Sequence, residues 1–305
     1  MEATRSTSAM SESADCPEGD PRFQAGTASA QLPPRIIYIA GYGRSGSSVL
    51  GVLLGAHPDI FNAGALGQAT AMLRDGATCT CGATLLACSF WSAGIRGIPT
   101  HEIDRQGSTG RLAEFAARRS GARFIVDGSK STYHYAARPF RYLQSGKEVY
   151  IIHLIRHPAA VLRSALKGQN SRLERGVVVG PVSRPLERLR TLWGWFHANL
   201  IASFYRWKYP DKSMRVDYEN LCRQPHTELA RIGALIGVNL GIVAGRIDRA
   251  EAFEVGHELA GNRILRSGSI VFRSDSQEAT IAGFWSAVGS AVGALFGTGS
   301  RQRKR

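Results

Sequence analysis

The stretch Arg35-Ile-Ile-Tyr-Ile-Ala-Gly-Tyr-Gly-Arg-Ser-Gly-Ser-Ser48 decides the fold. Its opening is an apolar, β-branched run, the composition of a buried strand. The run empties into a turn with glycines at Gly41, Gly43 and Gly46, and Ser47 to Leu54 reads as a helix start with Ser45 or Ser47 available as a cap. A strand, a tight glycine loop and a helix N-terminus aim several backbone N–H groups at one point, which makes a receptor for a phosphate-like anion. Gly41-x4-Gly46 followed by Ser48 nearly matches the nucleotide-binding pattern G-x-x-x-x-G-K-[ST]. Ser47, however, holds the lysine position, and the cation comes earlier, at Arg44. The loop suits phosphate but not evidently magnesium-ATP.

Outward from this loop, Arg123–Asp127, Val149–Ile155 and Ser213–Asp217 read as further short apolar strands. Helical stretches lie between them at Arg111–Arg119, Tyr133–Leu143, Pro158–Leu166, Leu186–Tyr209 and Pro225–Ile236. This alternation predicts one α/β domain with a central parallel sheet, helices on both faces and a P-loop-like nucleotide-binding topology. Ligands of such sheets sit at the carboxyl ends of strands, so Gly41–Ser48, Asp127–Lys130 and Arg156 should converge. Arg156 leaves the strand Val149–Ile155, and Ser164 follows two helical turns later. An arginine fork with a hydroxyl suits a second phosphate. Two phosphate sites on one rim suggest a nucleotide phosphorylated at two separate places.

The 305 residues carry a net charge of +14, of which the acidic first 34 residues contribute −3 and the remainder +17. That balance favours anionic ligands. The basic residues are 32 arginines and six lysines, with no basic run interleaved with aromatics before the terminus, so nucleic acid is not expected as a partner. Residues 1–34, rich in Ser, Ala, Glu, Thr and Pro, should be disordered, and the domain should span 35–278. Five cysteines are too few and too scattered for a disulfide framework, no secretory signal is visible, and a reducing cytoplasmic setting fits. From Ala279 to Ser300 there is no charge, and Gly289, Gly293 and Gly297 recur every four residues before a basic end. This 279–305 segment suits a peripheral or domain-packing helix, with a membrane-associated tail as the alternative.

On these motifs the chain resembles the sulfotransferases that use 3′-phosphoadenosine 5′-phosphosulfate, and most of all the bacterial branch. Gly43-Arg-Ser-Gly-Ser-Ser48 matches their first loop, and Arg156 with Ser164 matches their 3′-phosphate signature. His57-Pro-Asp59, Val126-Asp-Gly-Ser-Lys130 and Asp217-Tyr-Glu-Asn-Leu221 are weaker echoes. Gly261-Asn-Arg263 with Arg266 resembles the glycine–arginine loop over the 3′-phosphate. The resemblance spans about residues 35–275. It implies that Gly43, Arg44, Ser45, Gly46, Ser47, Ser48, Arg156, Ser164, Arg263 and Arg266 bind the phosphosulfate donor. It implies further that Arg44 and Lys130 hold the leaving 5′-phosphate and bridging oxygen, and that a hydroxyl on a small molecule, lipid or glycan accepts the sulfuryl group.

Related enzymes place a glutamate within a Gly-Glu pair after the His-Pro-Asp segment, whereas here Gly64 is followed by Ala65. The base must come from elsewhere, His134 or His57, or the protein is a catalytically weak nucleotide binder on the same fold. A P-loop kinase-like enzyme is the further alternative, opposed by Ser47 in the lysine position. Cys79-Thr-Cys81-Gly and Cys88-Ser-Phe-Trp91 offer three thiols without an evident fourth ligand, His101 being the one to conscript. They read as a family loop by the acceptor cleft, and no metal is expected. Trp193, Trp195, Phe196 and Trp207 share one long helix and read as core.

Overall fold

β1 (Arg35–Ala40) lies at the centre of the sheet, and every residue after Arg35 is buried. Its side chains alternate as a strand demands. Ile36, Tyr38 and Ala40 enter one hydrophobic cluster, and Ile37 and Ile39 enter another on the opposite face. Each fully buried isoleucine contributes on the order of 2 kcal/mol of hydrophobic stabilisation. The computed structural model describes residues 33–98, 108–131, 136–167, 184–260 and 263–272.

Four more strands flank β1: β2 (Ile60–Asn62), β3 (Phe124–Asp127), β4 (Val149–Ile155) and β5 (Ser213–Asp217). Among the described residues they form a five-stranded, wholly parallel sheet in the order β2-β3-β1-β4-β5. Ile37 pairs with Val126 on one side and Tyr150 on the other. The helices are α1 (Ser47–Gly55), α2 (Ala69–Arg74), α3 (Ser92–Arg96), α4 (Ser108–Ser120), α5 (Arg138–Gln144), α6 (Pro158–Lys167), α7 (Arg184–Lys208), α8 (Tyr218–Arg223), α9 (Pro225–Ile236) and α10 (Gly241–Asp248). Leucines and isoleucines of α1, α9 and α10 cover one face of the sheet. Leu112, Ala113 and Ala116 of α4, Tyr142 of α5, and Ala202 and Tyr205 of α7 cover the other. A small antiparallel pair, β6 (Ala252–Glu254) with β7 (Ser269–Val271), lies on the α1 side through Phe253 and Ile270.

The order in which strands are laid down reverses at β1. After β1 the chain builds β2 and β3 on one side, then crosses to β4 on the other. Loops leaving β1 and β4 therefore part company above adjacent strands, which opens a crevice at their carboxyl ends.

Several sequence expectations need amendment. The edge strand β2 was not anticipated. The helix expected from Tyr133 begins at Arg138 instead, because Ala136 and Ala137 form a turn and Pro139, which has no N–H to donate, sits in the first helical turn. Of the four aromatics read as core on α7, Trp195 is fully buried, Phe196 is partly so, and Trp193 and Trp207 are 60% and 77% exposed. Those two are surface residues, since the helix has an outer face that no other described element covers. Among the described residues no helix is long and apolar enough to cross a membrane. Residues 1–32 and the Ala279–Ser300 stretch lie outside the described residues.

Candidate functional site

The loop between β1 and α1 takes its shape from positions where only glycine fits. Gly41 has φ +123°, and a Cβ there would stand 2.3 Å from the Leu154 carbonyl oxygen of β4. Gly46 has φ +95° and occupies the N-cap of α1, where a Cβ would meet the Tyr218 ring at 2.2 Å. Neither Ser45 nor Ser47 caps the helix, contrary to the sequence expectation, because Gly46 holds the cap position and makes no side-chain cap bond. Those amides and the helix dipole point out of the loop. The Ser45 hydroxyl is 1% exposed and has no hydrogen-bond partner among the described residues. A buried hydroxyl left unpaired costs about 1–3 kcal/mol unless a ligand satisfies it.

The other two expected segments meet this loop. Arg156, at the end of β4, donates from Nη1 to the Arg44 carbonyl (3.3 Å) and lies 4.6 Å above the Tyr218 ring. Its Nε is buried without a partner among the described residues. Tyr218 is thus a wedge between Gly46 and Arg156, and burial pushes its phenol up to about 12. Next to it, Glu219 accepts from the His157 backbone N–H (2.9 Å) and pins the β4–α6 turn. On the far side, Lys130 lays its stem beside Gly43, 4.0 Å from where a Cβ would stand. Gly41 N–H donates to Ser131 Oγ (2.7 Å), Ser131 N–H donates back to the Gly41 carbonyl (3.1 Å), and the Tyr38 hydroxyl donates to the Lys130 carbonyl. Arg44 and Lys130 are both non-glycine residues at positive φ, +68° and +70°. Two strained cationic residues side by side are the kind of local cost that clusters at binding sites.

This arrangement gathers the first-turn amides of α1, Arg44 and Lys130 about one loop, with a second arginine one strand over. The sulfotransferase family model matches residues 34–241. The chain belongs to that family. Among solved structures, the sulfotransferase domain from the curacin biosynthetic pathway aligns over 87% of this chain and 98% of its own length, with 16% identity and a TM-score of 0.51. A sulfotransferase from Mycobacterium avium aligns over 87% of this chain and 76% of its own, with 12% identity and a TM-score of 0.48. One from Alicyclobacillus acidocaldarius aligns over 69% and 83%, with 18% identity and a TM-score of 0.42. At these identities the likeness concerns the fold alone. No curated protein sequence matches the chain.

In this sulfotransferase the remaining expected residues are dispersed. Ser164 is half-buried on α6, beside Arg163, whose Nη1 is a buried donor without a partner among the described residues. Arg163 was not singled out from the sequence, where it is one arginine among 32. Arg266 is exposed on the short turn Arg263–Ser267, which packs through the buried Leu265 against the α1 side; the Arg263 side chain, Gly261 and His134 lie outside the described residues. His57 is not at the rim. It precedes β2 at the opposite edge of the sheet, where its Nδ1 accepts from Asp59 N–H (3.1 Å), so it is a turn cap and not a base. Ala65 is buried, with its N–H on the Leu259 carbonyl (2.6 Å). Asp127 is wholly buried; its carboxylate accepts from Ser129 and from the Tyr142 hydroxyl (2.9 Å) and shapes the loop from within.

Two cavities do not coincide with the glycine loop. One of about 300 Å³ is bounded by His57, Asn62, Ser120 and Glu258 along the β2 edge, and burial pushes the Glu258 carboxyl up to about 8. The other opens beneath the exposed Leu200, Phe204 and Trp207 of α7. Lastly, a fourth donor side chain stands beside the three thiols of the cysteine segment, while His101 lies outside the described residues. Cys79, Cys81, Cys88 and His257 place their donor atoms within 4.8 Å of one another.

Proposed function

We propose that this protein transfers the sulfuryl group of 3′-phosphoadenosine 5′-phosphosulfate to a hydroxyl on a small-molecule, lipid or glycan acceptor. The observation that carries the proposal is that two buried donors, Ser45 Oγ and Arg156 Nε, find no partner among the described residues, on loops that a hydrogen bond from Arg156 to Arg44 joins directly. Gly43 to Ser48 and the first-turn amides of α1 would cradle the 5′-phosphate. Arg156 and Ser164 would hold the 3′-phosphate, with Arg263 and Arg266 closing over it.

Transfer forms a bond between the acceptor oxygen and sulfur while the bridging sulfur–oxygen bond breaks. The electron pair leaves with adenosine 3′,5′-bisphosphate. Negative charge therefore grows on the leaving phosphate, and the fixed cations Arg44 and Lys130 stand beside the loop that would neutralise it. The acceptor proton needs a base. With His57 turned to capping, His134, four residues beyond Lys130, is the residue we assign to that role.

Calorimetry with adenosine 3′,5′-bisphosphate, ATP and AMP tests the donor. Arg156→Ala should weaken the bisphosphate by tenfold or more and leave AMP within about threefold, as loss of one charge-assisted phosphate contact requires. Equal losses for both ligands would show that Arg156 does not hold the second phosphate. A buried Ala65, in the place of a family carboxylate, favours one other reading, a nucleotide binder with little turnover. Bisphosphate binding without bisphosphate release from the phosphosulfate, across a broad panel of hydroxyl acceptors, would select it.

A further inference from the structure

Cys79, Cys81 and Cys88 reach one point from a single loop, and His257 reaches the same point from a segment 169 residues beyond Cys88. We propose that these four side chains bind one zinc ion in a closed tetrahedral site that staples the loop to the edge of the sheet.

All four donor atoms lie within 4.8 Å of one another, close enough for small side-chain adjustments to bring them to one tetrahedral ion. Cys81 Sγ lies 3.8 Å from Cys88 Sγ. His257 Nδ1 lies 3.3 Å from Cys88 Sγ and 4.0 Å from Cys79 Sγ. A zinc ion with Zn–S near ~2.3 Å and Zn–N near ~2.0 Å sets its ligands apart by roughly 3.5–3.8 Å. Thiols packed merely as small apolar groups have no reason to gather a ring nitrogen at that spacing. Three sulfurs and one imidazole form a recognised structural zinc set, and the thiolate-rich, tetrahedral shell selects zinc over harder cations. With four protein ligands, no position is open for water or substrate, so the ion has a structural role.

The surroundings hold the ligands in place before any ion arrives. The Phe90 ring stacks on the His257 ring, with centroids 5.5 Å apart at 13°. Trp91 Nε1 donates to the His257 carbonyl (2.6 Å), and Glu258 N–H donates to Thr80 Oγ1 (2.8 Å). Gly82, at φ +91°, turns the chain straight after Cys81 and returns its N–H to the Cys79 carbonyl (2.9 Å). Cys79 and Cys88 are buried, while Cys81 and His257 are partly exposed, which leaves an entry path. The segment so fixed matters to the rim. Leu259 donates to the Ala63 carbonyl (3.0 Å) and accepts from Ala65, extending the sheet beyond β2, and the Arg263–Ser267 turn follows shortly after.

Elemental analysis of the full chain, together with cobalt(II) titration of chelator-stripped protein, tests the site. About one zinc per chain is expected, and cobalt should develop an intense thiolate charge-transfer band with tetrahedral ligand-field bands. Cys88→Ser and His257→Ala should reduce zinc content at least fivefold. Because either variant could fail to fold, His257→Cys provides the control: a four-cysteine shell should retain zinc. Absence of both zinc and cobalt bands in folded wild-type protein would overturn the proposal. So would iron in place of zinc, or an oxidised pair among the three thiols. The outcome is independent of nucleotide binding, so failure here and failure of the donor assignment can be told apart.

Discussion

Gly46 combines two constraints that are separable by substitution. Its φ of +95° disfavours any side chain, and the Tyr218 ring occupies the space that a Cβ would need. Gly76 has φ +61° with nothing within 4 Å of its would-be Cβ, so Gly76→Ala isolates the backbone term. We expect Gly76→Ala to cost about 1 kcal/mol and Gly46→Ala about 2–4 kcal/mol in urea unfolding, with loss of bisphosphate binding only in the latter. Similar costs for the two would mean that Tyr218 yields freely and is no wedge. Much of this loop was readable in the sequence, because strand, glycines and Arg44 act within a dozen consecutive residues. Tyr218 was legible only as part of a strand-end motif; its place between Gly46 and Arg156, and that of Arg163, were not, since both depend on neighbours far along the chain. His257 was hidden for the same reason: histidine spacing carries no signal when the ligand set closes only through tertiary contact.

At the scale of elements, the β3–α5 connection is held from inside by one carboxylate. Asp127 accepts from Ser129 N–H (3.0 Å), the Ser129 hydroxyl and the Tyr142 hydroxyl, while Ser129 Oγ accepts from Gly67 N–H (2.9 Å). Burial, and after it the Asp127 charge, hold the Tyr142 phenol well above its ordinary value, so it remains a donor. Asp127→Ala leaves several buried donors unpaired and should destabilise by about 3 kcal/mol. Asp127→Asn keeps an acceptor for Ser129, and its amide can donate to the Tyr142 oxygen, so about half that loss is expected. If chemical denaturation gives both variants the same loss, the carboxylate acts by charge and not by accepting these bonds. The longer helices and the strands β1, β3, β4 and β5 followed from apolar period and flanking turn residues, whereas the shorter helices α2, α3, α8 and α10 did not. The strand Ile60-Phe-Asn62 escaped notice because three residues define no period; only its pairing with β3 makes it a strand.

The two covering layers of the whole molecule meet the sheet differently, and one of those contacts titrates. His153 of β4 is buried under α7, with Nε2 at 2.8 Å from Asn199 Oδ1, and Asn199 Nδ2 donates to the Trp195 carbonyl (2.7 Å). Burial first, opposed by the Asn199 bond and reinforced by the Arg206 and Arg215 charges, lowers its pKa from 6.5 to about 4. The folded protein therefore keeps this imidazole neutral where the unfolded chain has already bound a proton. Its contribution is intact above pH 6.5 and is lost as pH falls towards about 4, at up to roughly 1.4 kcal/mol per unit. Between pH 7 and 5 the wild type should lose about 2 kcal/mol through this group. His153→Gln can keep an amide contact with Asn199 but cannot titrate. Packing sets the variant's absolute stability, so the difference between the two pH values is the quantity to compare in urea unfolding. That difference should shrink by about 2 kcal/mol in the variant. An unchanged difference would mean that His153 binds its proton as readily beneath α7 as in the unfolded chain, so that burial does not hold it neutral.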